Sequence, residues 1–547
     1  MLGVQPPFGR NYGRSMVISQ QGIAATSQAL ASQAGAQTLA EGGSAADAAI
    51  AANAVLGVVE PMMNGIGGDL FVLYWEAKTR TLTGLNASGP APCALSPDFL
   101  VRQGIHAVAD AGIHTVTVPG AVDGWAKMHT RFGKLPWKNL FSPAIAYAEQ
   151  GFPVSDIVQK LWEAAANIGK LQTLPETARV FLPNNRLPQE GEVFRNPDLA
   201  LAYRSLAEDG PVAFYRGKIA AAIVATSKAM GGLMNADDLA SFSSEWVEPI
   251  SIDYRGWRVF ELPPNGQGMA ALEMLNIMET MPAGPDGPCC PAEMHKRIEA
   301  MKLAYADISR YNGDPRHSQV PVEELLSKNY ARERAALIDP ERANGAAGHG
   351  CPSGSDTIYL TVVDRDGNIA SWIQSNYASF GSGITVQGMG FELQNRGAGF
   401  TLEAGHPNVL AGGKRPFHTI IPGFMQRENW QVGFGIMGGA NQPLAHAQFV
   451  SNVVDYGMNL QEAMEAPRFF KGSAAGCDVS IESRIPTRTI RGLSEMGHLV
   501  IERPEYSQEM GRGQAVMHDS NTGTNYAASD PRADGAATPE PILGLAR

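Results

Sequence analysis

A chain of 547 residues exceeds one typical hydrophobic core, so its length implies two to four domains or a single large layered domain. Hydrophobic residues make up 44% and charged residues 18%, the composition of a folded globular protein rather than a disordered one. A net charge of −11 argues against nucleic acid or an anionic membrane as the main partner.

The five cysteines, Cys93, Cys289, Cys290, Cys351 and Cys477, are odd in number and lack CxxC spacing, so neither a disulfide scaffold nor a zinc site is implied. No HExxH, P-loop or EF-hand pattern occurs, and no metal or organic cofactor is expected. The start, 1–11, has no basic region followed by an apolar run. No window of about 18 apolar residues exists. The sequence thus predicts no secretory signal, no membrane span and a cytoplasmic protein.

In chain order, 22–41 predicts an Ala-rich helix ended by Gly42-Gly43, and 44–58 a second with Ser44 and Asp47 in an N-cap pattern. A glycine turn follows at 64–69, then a hairpin over 70–85. The GxGG in that turn is weak as a nucleotide fingerprint, because a hairpin and not a helix follows it. Residues 134–310 are mainly helical by pattern, interrupted by a strand-like stretch at 248–260. A Gly/Ser/Pro-rich tract at 339–356 has little core-forming content and ends at Thr357. Strands are expected over 357–394, a Gly-rich region over 397–413, a strand and turn over 418–440, a helix over about 442–466, and a mixed tail.

Two apolar, β-branched runs, 357–363 and 369–375, flank a polar tract ending Asp366-Gly367-Asn368, which is a hairpin signal. If the odd-length loop 364–368 sets the register, Thr357 faces Ser375. Two hydroxyls then sit at cross-strand distance, roughly 5 Å between Cβ atoms. A plain hairpin, with Thr chosen for strand propensity, is the other reading of this motif.

A hydroxyl is a weak nucleophile unless a base takes its proton. An N-terminal Thr carries such a base in its own α-amine, whose ordinary pKa is about 7.7–8.0. Thr357 gains that amine only if the Asp356–Thr357 bond is cut. The hydroxyl can do this itself by attacking the preceding carbonyl, shifting the acyl group from N to O for water to release. A flexible tract abutting a strand that begins with Thr fits such a processing site; a linker is the alternative.

The chain resembles the γ-glutamyltransferase (glutathione hydrolase) family of N-terminal nucleophile hydrolases. The resemblance runs nearly end to end. It covers Gly42-Gly43-Ser-Ala-Ala-Asp47, Gly57-Val-Val-Glu60-Pro61, Gly65-Ile-Gly-Gly68, Val118-Pro119-Gly120, Pro263-Pro264-Asn-Gly-Gln-Gly268 and Glu299 to Asp307. It continues through Asp356-Thr357, Phe380-Gly-Ser-Gly383, Lys414-Arg-Pro416, Gly438-Gly439 and Ser529 to Gly535. It implies that Asp356 and Thr357 form the cleavage site, that Thr357 is the nucleophile, and that Ser375 hydrogen-bonds it. It also implies that Gly438 and Gly439 supply the backbone N–H pair of an oxyanion hole, each such donor worth about 3 kcal/mol in the transition state.

The γ-glutamyl recognition set does not carry over. The family's Arg for the α-carboxylate falls at Ser88, and its Asn near the nucleophile at Tyr377. Its Gln and Asp for the α-ammonium fall at Arg396 and Gly399, and its paired serines at His418 and Thr419. With no carboxylate for an ammonium and one new guanidinium, such a site should prefer an anionic acyl group. Arg396, Tyr377, His418, Thr419 and Asn395 form the candidate substrate-binding set. A surface ion pair for Arg396 and a structural role for His418 are the alternatives. The pattern resembles the divergent branch holding oxamate amidohydrolase and the cephalosporin (glutaryl-type) acylases.

The expected fold is therefore α+β, an αββα sandwich of two stacked antiparallel sheets between helical layers. It is built jointly by 1–356 and 357–547 as one structural unit. The cleavage products are expected to stay associated as a heterodimer, with a dimer of these left open. The expected activity is amide hydrolysis through a Thr357 acyl-enzyme, with transfer to an amine acceptor also open. Two other classes stand beside it: a glutathione hydrolase with unfamiliar contacts, and an unprocessed, non-enzymatic binding protein.

Overall fold

The hairpin that ends the Gly/Ser/Pro-rich tract lies at the middle of a sheet. The computed structural model describes residues 12–167, 169–345 and 356–542. Asp356–Val363 and Ile369–Tyr377 pair antiparallel, and both are buried from Thr357 onward apart from the turn between them. Across this seven-stranded sheet the order is Ala536–Pro539, Ile23–Thr26, Asp356–Val363, Ile369–Tyr377, Asp69–Glu76, Thr81–Ala87 and Glu245–Val247. The second seven-stranded sheet runs Val17–Ser19, Thr524–Ser529, Arg512–Asp519, Trp430–Met437, Gly423–Arg427, Trp257–Glu261 and Ile250–Tyr254. All pairings within these two sheets are antiparallel. Each sheet takes strands from both sides of the 356–357 junction.

The two sheets stack closely because glycines stand where the facing sheet presses. A Cβ added at Gly435 would lie 2.4 Å from the Tyr359 ring, and one at Gly433 2.6 Å from Ile369. Between the sheets, the Tyr359 and Ser371 hydroxyls hydrogen-bond at 2.7 Å, and Ser371 donates to the Gly423 carbonyl at 2.9 Å. Helices Ala29–Ala40 and Ala45–Val59 cover the outer face of the first sheet. Helices Gly268–Glu279, Pro291–Tyr311 and Gln442–Tyr456 form the layer over the second. The architecture is αββα, as expected from the sequence. Among the described residues no helix is long and apolar enough to cross a membrane.

The second predicted helix forms as read. Ser44 Oγ accepts from the Asp47 N–H, and the Asp47 carboxylate accepts from the Ser44 N–H, a reciprocal cap. The first is shorter than predicted: Ile23–Thr26 is a strand, and the helix starts at Ala29. Small apolar residues there suit either state, and the decision lies with strands about 330 and 510 residues away that supply its backbone partners. The helix predicted over 442–466 breaks at Gly457, which adopts a left-handed φ of +63°, and restarts at Leu460 under an Asn459 cap. Strands predicted over 357–394 stop at Tyr377, and 378–394 is irregular apart from one bridge. Of the 339–356 tract, 346–355 lies outside the described residues, as do 1–11 and Cys351.

A buried charge cluster ties the tail to a small three-stranded sheet, Phe469–Phe470, Asp478–Glu482 and Leu499–Arg503. Arg532 donates to both oxygens of Glu482 at 2.7 Å and to Asp530 at 3.1 Å, while Arg468 reaches Asp530 at 2.8 Å. Burial alone would raise the Asp530 carboxyl, but the two guanidinium groups hold it below its usual range. Arg532→Met would leave the buried Glu482 with Arg484 alone, at 2.8 Å, and Asp530 with Arg468 alone, and should lower the unfolding free energy by about 3 kcal/mol, the low end for a broken buried pair. The shift of the urea midpoint measures this, and a loss under about 1 kcal/mol would show the cluster to be dispensable.

Candidate active site

The hairpin register agrees with the expectation over six pairs, from Ile358–Gln374 to Val363–Ile369. It departs at the end that matters. Asp356 pairs with Tyr377, so the register shifts across Thr357, a β-bulge. Thr357 is not the ladder partner of Ser375, yet its Oγ1 donates to Ser375 Oγ at 3.1 Å. Ser375 Oγ also accepts the Tyr377 N–H at 2.8 Å. Both hydroxyl residues are fully buried. The turn is fixed by Asp364, which accepts from the N–H groups of Asp366 and Asn368 and from Ala45 at the start of the covering helix.

A path of contacts runs from Thr357 through the other candidates. Tyr377, at a left-handed φ of +77°, lays its ring under the Arg396 guanidinium at 4.3 Å. Arg396 Nη1 donates to Thr419 Oγ1 at 2.7 Å. The Gln267 amide donates to the Thr419 carbonyl at 2.6 Å and to the Gly439 carbonyl at 2.8 Å. Gly438 has φ +148° and Gly439 φ +61°, a turn between the strand Trp430–Met437 and the helix Gln442–Tyr456 that residues with a Cβ rarely adopt. Gln267 thus fixes the carbonyl side of the Gly438-Gly439 turn.

Arg396 is fully buried, which excludes a surface ion pair. Its Nε and Nη2 have no hydrogen-bond partner among the described residues. Burial pushes the guanidinium down to about 10, with Tyr377 and Asp69 acting in the other direction.

The expectation of a pocket without a carboxylate is corrected by Asp69. Its Oδ1 accepts from Gln394 at 2.8 Å, the Gly89 N–H at 3.1 Å and the Gly120 N–H at 3.2 Å. Its Oδ2 faces His418 Nε2 at 3.1 Å. Asp69 is also the strand neighbour of Ser375, on the side away from Thr357. Burial raises its carboxyl to about 7 against the opposing pull of Arg396. His418 is held neutral by burial, then by Arg396 and Arg415; its Nε2–H points to Asp69, its Nδ1 accepts from Ile420 at 3.4 Å, and its ring rests on Phe71.

His418 and Asn395 therefore spend their polar atoms inside the protein. The Asn395 amide accepts from the Ala378 N–H at 3.0 Å and donates to the Asp110 carbonyl at 2.6 Å, pinning the loop after Tyr377. Ser88 is occupied by Asn86 and Asn265, and Arg415 grips its carbonyl at 3.0 Å. Sequence reasoning missed Asp69 and Gln267. The available signal was their place in two glycine-rich segments, 64–69, read as a turn, and 263–268, noted only as part of the family resemblance. Elsewhere among the described residues, His295, Glu299 and His498 could in principle hold a metal. The Lys302 ammonium already occupies Glu299 at 2.6 Å, and the two imidazoles hydrogen-bond each other at 2.8 Å.

The sequence profile of the gamma-glutamyltranspeptidase family matches residues 31–540. The chain belongs to this family. It is 36% identical over 530 residues to a glutathione hydrolase-like YwrD proenzyme of Bacillus subtilis, covering 95% of this chain and 99% of that one. It is 33% identical over 530 residues to the oxamate amidohydrolase proenzyme of Klebsiella pneumoniae, covering 95% and 98%. Among solved structures it is similar to a cephalosporin acylase from Bacillus halodurans, with a TM-score of 0.90, 41% identity, and 98% and 99% of the two chains covered. The protein is an enzyme of the gamma-glutamyltranspeptidase family with the αββα fold of N-terminal nucleophile hydrolases.

The hydrogen bond at the bulge yields a direct test. If Thr357 is the nucleophile of chain cleavage and turnover, Ser375→Ala should slow both by roughly 10- to 1000-fold, the cost of one hydrogen bond to a reacting hydroxyl. The circular dichroism spectrum should be unchanged. Rates equal to wild type would remove Ser375 from the site.

Proposed function

We propose that this gamma-glutamyltranspeptidase family member is a self-processing threonine amidohydrolase that acts on amides with an anionic acyl group. The observation that carries the reading is Arg396, a buried guanidinium with two donor nitrogens, Nε and Nη2, unpartnered among the described residues, linked through Tyr377 and Ser375 to Thr357. Such a group costs too much to bury unless a ligand completes its hydrogen bonds.

The chemistry begins with the chain itself. Thr357 Oγ1 attacks the Asp356 carbonyl, the acyl group moves from N to O, and water releases residues 1–356 from 357–547. Because both sheets interleave strands from the two pieces, the pieces stay together as one folded unit. The freed α-amine then takes the Thr357 proton as Oγ1 attacks a substrate amide. The Gly438 and Gly439 N–H groups receive the developing oxyanion. The amine leaves with the transferred proton, and water, or an acceptor amine, cleaves the ester. Ser375 orients the hydroxyl. Arg396 takes the far carboxylate of an oxamyl or glutaryl group.

γ-Glutamyl hydrolysis remains the second reading for a specific reason: Asp69 gives the pocket a carboxylate that an ammonium could approach. A glutathione hydrolase proenzyme of Bacillus subtilis is 30% identical over 558 residues.

Intact mass of purified wild-type protein should show pieces spanning residues 1–356 and 357–547, and Thr357→Ala should stay whole. Cutting at that bond in Thr357→Ala would overturn self-processing, and an uncut wild-type chain would favour a binding protein.

Paired glutaryl and γ-glutamyl anilides test the acyl choice. A two-pronged guanidinium–carboxylate contact is worth about 2–3 kcal/mol. Arg396→Ala should therefore lower kcat/KM on the glutaryl compound by roughly 30- to 150-fold. The wild-type enzyme should prefer the glutaryl compound by at least a similar factor. Equal or better kcat/KM on the γ-glutamyl compound would make glutathione-type hydrolysis the better reading.

A further inference from the structure

We propose that Asp69 couples substrate binding to proton uptake: a carboxylate seated on Arg396 draws one proton from solvent onto the Asp69–His418 pair, so carboxylate-bearing substrates bind more weakly as pH rises. This rests on the reading of Arg396 given above and adds a specificity-setting residue to it.

The inference follows from how the charges are arranged. Asp69, His418 and Arg396 are all completely buried. Asp69 is near enough to act on Arg396 electrostatically, but it makes no hydrogen bond to it. Its oxygens are held back by Gln394, the Gly89 and Gly120 N–H groups and His418. Arg396 therefore keeps Nε and Nη2 free while having an anion nearby. The empty site is close to electroneutral, with one guanidinium, one carboxylate and a neutral imidazole.

In the proposed complex the incoming carboxylate takes the two unpartnered nitrogens, while Asp69 keeps its own hydrogen bonds. Two anions then share one guanidinium in a site closed to water, and like charges so placed cannot both stay ionised. The group that yields is the one already close to protonation. Burial lifts Asp69 to about 7, and a bound anion raises it further. The proton is shared across the 3.1 Å contact between Oδ2 and Nε2.

The other groups around the pair leave this balance in place. Arg415, which also acts on His418, is committed to Glu245 at 2.9 Å. Tyr215, whose hydroxyl feels Asp69, stays protonated, and its neighbour Asp123 accepts from Ser244. The sign is fixed by linkage. Below the titration range Asp69 already holds its proton and binding is independent of pH. Above it the proton must be drawn from solvent, and affinity falls by up to about tenfold per pH unit.

The probe is 5-oxohexanoate, which carries one carboxylate and places a ketone, which cannot be hydrolysed, where the scissile amide would lie. Its neutral amide, 5-oxohexanamide, is the comparator. Calorimetry on the processed wild-type enzyme at pH 8, in two buffers of different ionisation enthalpy, should read an uptake approaching about one proton per 5-oxohexanoate bound. It should read none with the amide. In Asp69→Asn the uptake should vanish and the probe should bind equally well across alkaline pH. Wild-type binding that needs Arg396 but takes up no proton overturns the coupling and leaves the Arg396 reading intact. Equal uptake with the neutral amide assigns the proton to the Thr357 α-amine and also overturns it. Failure of the probe to bind, or undiminished binding in Arg396→Ala, removes the Arg396 reading and the coupling with it. The wild-type calorimetry decides without any variant having to fold.

Discussion

The bulge at Thr357 is the constraint on which the site depends. An antiparallel ladder alternates side chains strictly between two faces. Six regular pairs fix the hairpin; beyond them two residues, Ser375 and Asn376, stand against Thr357 alone, and the Thr357–Ser375 hydroxyl contact that the regular register would give is kept across that irregularity. Because the hairpin is central, with Ile23–Thr26 on one side and Asp69–Glu76 on the other, it cannot slide. A register slip of one residue would turn Thr357, Ser375 and the core side chains to the wrong face together. The precision of the candidate nucleophile thus comes from a sheet whose strands lie on both sides of the bond proposed to break.

Around that fixed point the protein buries charge in two different ways. In the Arg532 cluster every carboxylate meets a guanidinium at hydrogen-bond distance, and the outcome is mechanical: tail, sheet and helix ends are tied together. At Arg396 the nearby carboxylate is kept from direct contact, and two donor nitrogens are left without a partner among the described residues. A buried guanidinium tolerates that arrangement poorly unless something else supplies the acceptors. The same residue type therefore serves structure at one place and is proposed to serve binding at the other, and the difference lies in how its hydrogen bonds are completed.

Much of this was legible in the chain. The capping residues Ser44 and Asp47, the hairpin over 357–375 and the glycine pair Gly438-Gly439 announce local structure, because caps, turns and left-handed backbone depend on nearby residues. The Thr357–Ser375 proximity could be read from loop length, but the bulge that interrupts the ladder there could not. Asp69 escaped because a carboxylate at the end of a glycine turn looks like ordinary turn chemistry. Its meaning appears only when residues 89, 120, 394 and 418 converge on it. His418 and Asn395 were candidates for substrate contact by position, and the fold spends them on Asp69 and on loop backbone.

The sequence by itself determined the family, the αββα class, the hairpin and the candidate hydroxyl pair, since these rest on local pattern and residue chemistry. Tertiary structure decided the rest. It made Ile23–Thr26 a strand, because its backbone partners come from opposite ends of the chain. It set the charge of the pocket, because electrostatics inside a protein depends on distance and burial between groups hundreds of residues apart, and neither is written in the order of the chain.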